Sequence, residues 1–122
     1  MFYEGTMKMR IYISGPISGL PYEIVRSRFE RDKRDLAAAD FEPVSPLDNG
    51  LPPDAPWEEH MKRDLAILAT CDGIYLQTGW EKSKGCQIEV NTALTLPQIR
   101  IIIKETIKTP KNNKTRCKTK VT

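Results

Sequence analysis

The chain alternates between short, unbroken apolar runs and longer stretches in which apolar residues recur every three or four positions. Lys8 to Ser14 holds the run Ile11-Tyr12-Ile13 and reads as a buried strand. The turn-forming Gly15-Pro16-Ile17-Ser18-Gly19-Leu20-Pro21 ends it. From Tyr22 to about Ala39 the chain is charged, with Val25, Phe29 and Leu36 on one stripe, the pattern of an amphipathic helix. Phe41 to Val44 predicts a short strand, and Pro43, which has no N–H for a ladder, puts it at or near a sheet edge. Asp48 to Pro56, rich in Pro, Gly and Asp, is a loop that leaves Pro56 at the opening of the next helix. That helix runs to about Thr70. Trp57, Met61, Leu65 and Leu68 mark its buried stripe, and Glu58 and Glu59 fall in its first turn, where the helix dipole favours carboxylates. Gly73 to Gln77 is a third strand. Ser83 to about Leu94 is a third helix with Cys86, Val90, Ala93 and Leu94 facing inward, and Ile99 to Ile103 is a β-branched fourth strand.

Strands alternating with helices predict an α/β fold, a flavodoxin-like or Rossmann-like doubly wound parallel sheet of four to five strands. Right-handed crossovers place helices on both faces of such a sheet. Ligands bind it beyond the carboxyl ends of the strands, where the strand order reverses, so the loops 14–21 and 78–83 frame the expected site. With 122 residues and 39% hydrophobic content the chain has material for one core, expected over residues 1–103. No apolar run approaches the roughly 20 residues of a membrane span. The N-terminus lacks the apolar middle of a signal peptide. Three widely spaced cysteines without a CxxC pair fit neither a disulfide framework nor a zinc site. A cytoplasmic protein is the expectation. The net charge of +3 belongs to a basic tail: residues 104–122 hold seven Lys/Arg and one Glu, against 12 Lys/Arg and 15 Asp/Glu in residues 1–103. Without an aromatic residue to stack on a base or a periodic apolar face, the tail reads as a solvated, flexible segment, with nucleic-acid contact the weaker alternative.

The first loop brings two hydroxyls, Ser14 and Ser18, together with Gly15, Pro16 and Gly19; it suits either an ordinary tight turn or close backbone approach to a ligand. In the second, Ser83 is placed to cap a helix that Lys84 and Gly85 open, which serves equally as a plain cap or as an anion site for a 5′-phosphate. Glu89 lies nearly two turns further on, at the margin of the apolar stripe. There it either reaches solvent and a lysine or faces the ligand crevice. Asp64 stands in the same relation to the stripe of the preceding helix, with His60 one turn before it as a helix-surface residue. A pair of such carboxylates suits glycosyl transfer, which needs one group at the sugar carbon and another to assist the leaving base.

The segment Arg63-Asp64-Leu65-Ala66-Ile67-Leu68-Ala69-Thr70-Cys71-Asp72-Gly73-Ile74-Tyr75-Leu76, followed by Ser83-x-Gly85-x-x-x-Glu89, resembles the core signature of nucleoside 2-deoxyribosyltransferases and deoxynucleoside 5′-monophosphate N-glycosidases. Ile11 to Gly19 is similar to their first strand and substrate loop. The resemblance is greatest to a small bacterial and phage branch carrying Gly-Trp-Glu-x-Ser-x-Gly before the glutamate, and it spans residues 8 to 103. It implies that Glu89 is the nucleophile and Asp64 the second carboxylate. Ser83 and Gly85 would lie at the 5′ end of a deoxynucleoside or its 5′-monophosphate, and Ser14, Gly15, Pro16, Ser18 and Gly19 would line the pocket. It implies a homo-oligomer and no cofactor or metal. Gln77-Thr78-Gly79-Trp80 departs from the acidic residue that these enzymes often carry after the third strand, so Trp80 is expected to stack on the base. The same departure favours the alternative of a non-catalytic nucleotide-binding or sensing module on this fold.

Overall fold

A computed structural model of the chain describes residues 8–104; the basic tail beyond Lys104, with Cys117, and the residues before Lys8 lie outside them. Four strands, β1 (Arg10–Ser14), β2 (Glu42–Val44), β3 (Gly73–Leu76) and β4 (Arg100–Ile103), alternate with three helices, α1 (Tyr22–Ala38), α2 (Trp57–Leu68) and α3 (Lys84–Leu94). Every pairing is parallel and the order across the sheet is β2-β1-β3-β4. The expected doubly wound α/β architecture is present, with four strands among the described residues. Pro43 sits on β2, at the sheet margin where its missing N–H costs no ladder bond.

The period of two along each strand sorts the core into two layers. Ile11, Ile13 and Tyr75 pack with Val25, Phe29 and Leu36 of α1 on one face. Tyr12, Ile74 and Leu76 pack with Leu68, Val90 and Ala93 from α2 and α3 on the other. The chain leaves β1 toward β2 and returns past β1 to β3, so the order reverses between β1 and β3. At that point the strand ends are level, with Ser14 opposite Leu76 and the Gln77 N–H donating to the Ser14 carbonyl at 2.9 Å. Two helical stripes differ from expectation. Leu94 is 65% exposed, because the last turn of α3 turns Val90 and Ala93 onto the sheet and Leu94, one residue further round, off the buried face. On α2 the most buried residues are Asp64 and Leu68, while Trp57 lies at the surface; Trp57 borders a cavity instead of the core. No helix among the described residues is long and apolar enough to cross a membrane.

The end of α1 shows how locally the chain is set. Asp40 takes a left-handed φ of 73°, its N–H donates to the Ala37 carbonyl, and the Phe41 N–H donates to that of Leu36 at 3.0 Å. This reciprocal pair satisfies carbonyls that a helix end would otherwise leave bare, and it delivers Phe41 onto the apolar cluster holding Leu36. Asp40 bears the steric cost of the left-handed conformation. Its surface ion pair with Lys8 at 3.5 Å, with the Asp40 side chain 86% exposed, offsets little of that. Asp40→Gly is therefore expected to stabilise the fold by about 0.5–1 kcal/mol, read as a rise in the midpoint of urea unfolding at unchanged slope.

Candidate functional site

Above the reversal point, β1 sends two side chains toward α3. The Tyr12 hydroxyl donates to Glu89 Oε2 at 2.7 Å and the Ser14 hydroxyl donates to Glu89 Oε1 at 2.6 Å. Both donors and the acceptor are buried, Glu89 being 6% exposed. Glu89 sits among Cys86, Val90 and Ala93 on the buried face of α3, so it faces the crevice and does not reach a lysine. Burial, opposed by these two hydrogen bonds, pushes its carboxyl from 4.5 up to about 7, with the charge of Asp64 adding to the rise. Tyr12 is held well above its ordinary value by burial and then by the neighbouring Glu89 charge, so it stays a donor. The thiol of Cys86 is likewise raised, chiefly by burial.

Glu89 and Asp64 both line a cavity of about 560 Å³, bounded on its other sides largely by apolar residues of the loops after β1 and β2. Asp64 is held from behind by Asn49, whose amide donates to its Oδ1 at 2.8 Å. The same amide lies 3.1 Å from Nδ1 of His60, and His60 Nε2 lies 3.0 Å from the Pro52 carbonyl. An amide N–H facing Nδ1 and a carbonyl facing Nε2 together require the neutral Nε2–H tautomer. Burial raises the Asp64 carboxyl, against the Asn49 hydrogen bond. A charged His60 would also lower it, but the hydrogen-bond pattern takes the ring as neutral, leaving burial opposed by Asn49 and by the charge of Arg63.

The remaining expected site residues divide. Ser83 caps α3, accepting from the Cys86 N–H at 3.2 Å, and with Gly85 it lines both this cavity and a second, adjoining one of about 520 Å³. Ser18 also faces both, Gly15 the first and Pro16 the second. Ser14 is fully buried beneath the site, holding Glu89. Gly19, with φ 80°, is a turn residue lining neither cavity. Trp80 lines neither as well. It packs against the cluster of Tyr12, Leu76 and Val90, because the 3-10 turn at Trp80–Lys82 folds the indole back onto the sheet, and the expected base-stacking role does not fit that position. Gly15 is needed by its neighbour: a Cβ there would stand 1.8 Å from Gln77 Oε1. Gln77 in turn donates to the buried Asp32 at 2.9 Å, which also pairs with Lys104 at 2.9 Å.

Tyr12, Asn49, His60 and Trp57 were not among the expected site residues. Tyr12 sits within an apolar run and reads as core. Asn49 sits in a turn-rich stretch and reads as a turn former. The i to i+4 spacing of His60 and Asp64 on one helix face was the one available signal.

A family model described as "Domain of unknown function (DUF4406)" matches residues 9–102. The chain belongs to this family. No curated protein matches it. The DUF4406 fold is shared with solved structures. One is a 2-desoxiribosyltransferase from Leishmania mexicana, at 17% identity and a TM-score of 0.60, covering 90% of this chain and 74% of that one. Another is a 2-deoxyribosyltransferase from the psychrotolerant bacterium Bacillus psychrosaccharolyticus, at 20% identity and a TM-score of 0.53, covering 77% and 72%. At these identities the likeness is one of fold, and it is the fold that the motifs led us to expect.

Because the Glu89 carboxyl is raised on folding, ionising it opposes the folded state. That contribution to stability is fully present below pH 4.5 and is lost as pH rises through about 7. Glu89→Gln removes the charge and keeps the size. At pH 8 it should be more stable than wild type by on the order of 1–3 kcal/mol, with the difference shrinking toward zero below pH 4.5. Thermal unfolding followed across pH 4 to 8 checks this; equal gains at both ends would mean that Glu89 carries no raised carboxyl.

Proposed function

We propose that this DUF4406 chain cleaves or exchanges the N-glycosidic bond of a deoxynucleoside or deoxynucleoside 5′-monophosphate, with Glu89 as nucleophile. The observation that carries the reading is the Glu89 carboxylate itself, buried at the sheet's reversal point, lining a cavity and bonded by two hydroxyls. A carboxylate in this position is structurally costly, and attack on a sugar carbon gives it a use. The shared fold with two 2-deoxyribosyltransferases supports the same reading.

The displacement takes two steps. A Glu89 oxygen forms a bond to C1′ as the C1′–N bond breaks, and the base departs with that electron pair. Tyr12 and Ser14 hold the carboxylate so that one lone pair is presented to the sugar, and its negative charge stabilises the oxocarbenium-like transition state. Asp64, held by the Asn49 amide in the wall of the same cavity, is placed to orient the sugar and the departing base. In the second step water, or the nitrogen of another base, attacks C1′ from the face the first base left. The C1′–O bond to Glu89 then breaks and the attacking group loses its proton.

The test is chromatographic detection of free base after incubation with the common deoxynucleosides and their 5′-monophosphates, with and without an acceptor base. Wild type should release or exchange base, and Glu89→Ala should lose activity by more than about 10³-fold. Activity should rise as pH passes through about 7, where Glu89 gives up its proton. Exchange that requires an acceptor marks a transferase, and release with water alone marks a hydrolase. No release above the Glu89→Ala control, from any of these substrates, leaves the binding-only module as the reading.

A further inference from the structure

The two adjoining cavities carry opposite charge. Among the residues lining the first, the formally charged ones are Asp54, Asp64 and Glu89, with neither Lys nor Arg. Among those lining the second they are Arg28, Lys82 and Lys84, with neither Asp nor Glu. The cavities meet at Ile17, Ser18, Leu20, Trp57, Ser83 and Gly85, which line both. None of the three cations forms an ion pair with a carboxylate among the described residues. Lys84 instead lies 5.2 Å from the centre of the Trp57 ring, which keeps its ammonium at the junction. Arg28, Lys82 and Lys84 thus line one hollow with no carboxylate paired to them among the described residues, and the α3 N-terminus adds a partial positive charge of about +0.5 at its edge.

We propose that the second cavity binds the phosphate chain of a nucleoside 5′-di- or triphosphate, so that polyphosphorylated deoxynucleotides are the preferred ligands of the site. This rests on the reading of Glu89 as the group at C1′. Gly85 and Glu89 are four residues apart on one helix, an axial distance of about 6 Å, the scale of a deoxyribose between C1′ and its 5′ oxygen. A sugar placed at Glu89 thus directs its 5′ end to the junction and whatever follows into the basic hollow. Charge decides how much follows. One phosphate ester brings about −1.5 to −2 at pH 7, less than three cations and a helix end supply; two or three phosphates come nearer to balance. Size agrees, since the hollow of about 520 Å³ is nearly as large as the one that would take the nucleoside. The Thr78 and Ser18 hydroxyls line it and supply neutral donors.

The experiment measures binding of inorganic phosphate, pyrophosphate and tripolyphosphate to the full chain by calorimetry at 0.1 M salt. The same is done for deoxynucleosides and their 5′-mono-, di- and triphosphates, using Glu89→Gln to prevent turnover. Affinity should rise by about tenfold or more from phosphate to tripolyphosphate, with the nucleotides following the same order. The double variant Arg28→Ala/Lys82→Ala, checked for folding by circular dichroism, should remove that rise. A series of equal affinities overturns the proposal. So does a rise that persists in the double variant, since the polyphosphate is then held elsewhere. If the series holds and needs Arg28 and Lys82 while wild type releases no base, the catalytic reading falls and this one stands. If base is released from deoxynucleosides and triphosphates with equal kcat/KM and the series is flat, the catalytic reading stands and this one falls.

Discussion

Everything at the site depends on the placement of one carboxylate where water is excluded. Removing an ionised carboxylate from water without a partner is too costly for a small domain to sustain. The chain answers with two hydroxyls from the same strand, Tyr12 and Ser14, each bonded to a different oxygen of Glu89. Both sit on the α3 side of β1 because side chains alternate along a strand, and both reach α3 because β1 lies beside β3 at the centre of the sheet. Two hydrogen bonds do not cancel the burial, so the carboxyl remains at about 7. The fold thus holds Glu89 in place without committing it fully to either protonation state near neutrality, which suits a group that attacks and is later released.

A second constraint runs beneath the first loop. Gly15, Gln77 and Asp32 form a contact chain from the cavity wall to the middle of α1, closed by Lys104 just beyond β4. The enzymes resembled here often carry an acidic residue after the third strand, in the stretch that Gln77-Thr78-Gly79-Trp80 fills in this chain. The Gln77 amide donates to Asp32, in the layer between sheet and α1. Gln77 thus belongs to the support under the loop, where a carboxylate in its place would meet Asp32 and repel it.

Much of the fold was legible in the sequence because the signals for it are local. Alternating short apolar runs and amphipathic stretches, Pro43 in a short strand and Ser83 before a helix each carry their structural meaning within a few residues. The site was legible only in part. Glu89 and Asp64 stood out as carboxylates at the margins of apolar stripes, but the stripes themselves were misjudged: Asp64 is more buried than Met61 or Leu65, and Leu94 is exposed. The partners were hidden because their contacts are non-local. Tyr12 meets Glu89 across 77 positions, and Asn49 meets Asp64 across 15. A tyrosine in an apolar run looks like core from sequence, and here it is core except for its hydroxyl. Trp80 failed in the opposite sense, as a loop aromatic that looked free to stack and is spent on packing.

The roof of the cavity follows the same logic as its floor. The Asn49 side chain donates to Asp64 and to His60 while its own oxygen accepts from the Leu51 N–H at 2.9 Å. His60 then reaches the Pro52 carbonyl, and Arg63 reaches that of Asn49 at 2.6 Å. The Pro- and Gly-rich segment after β2 is therefore tied at several points to one helix, and its position over the cavity is a property of α2. A protonated His60 would put a second donor against the Asn49 amide, and Asn49 could not turn to accept from it without giving up Leu51. Asp64 is consequently oriented by a network that requires a neutral ring beside it, and its carboxyl is raised by burial against the Asn49 amide and the charge of Arg63. With Glu89 governed by two hydroxyls and deeper burial, the two carboxylates facing one cavity sit in distinct environments: the charge of Asp64 is among the causes that hold Glu89 at about 7, so Glu89 is the carboxyl that changes state near neutrality.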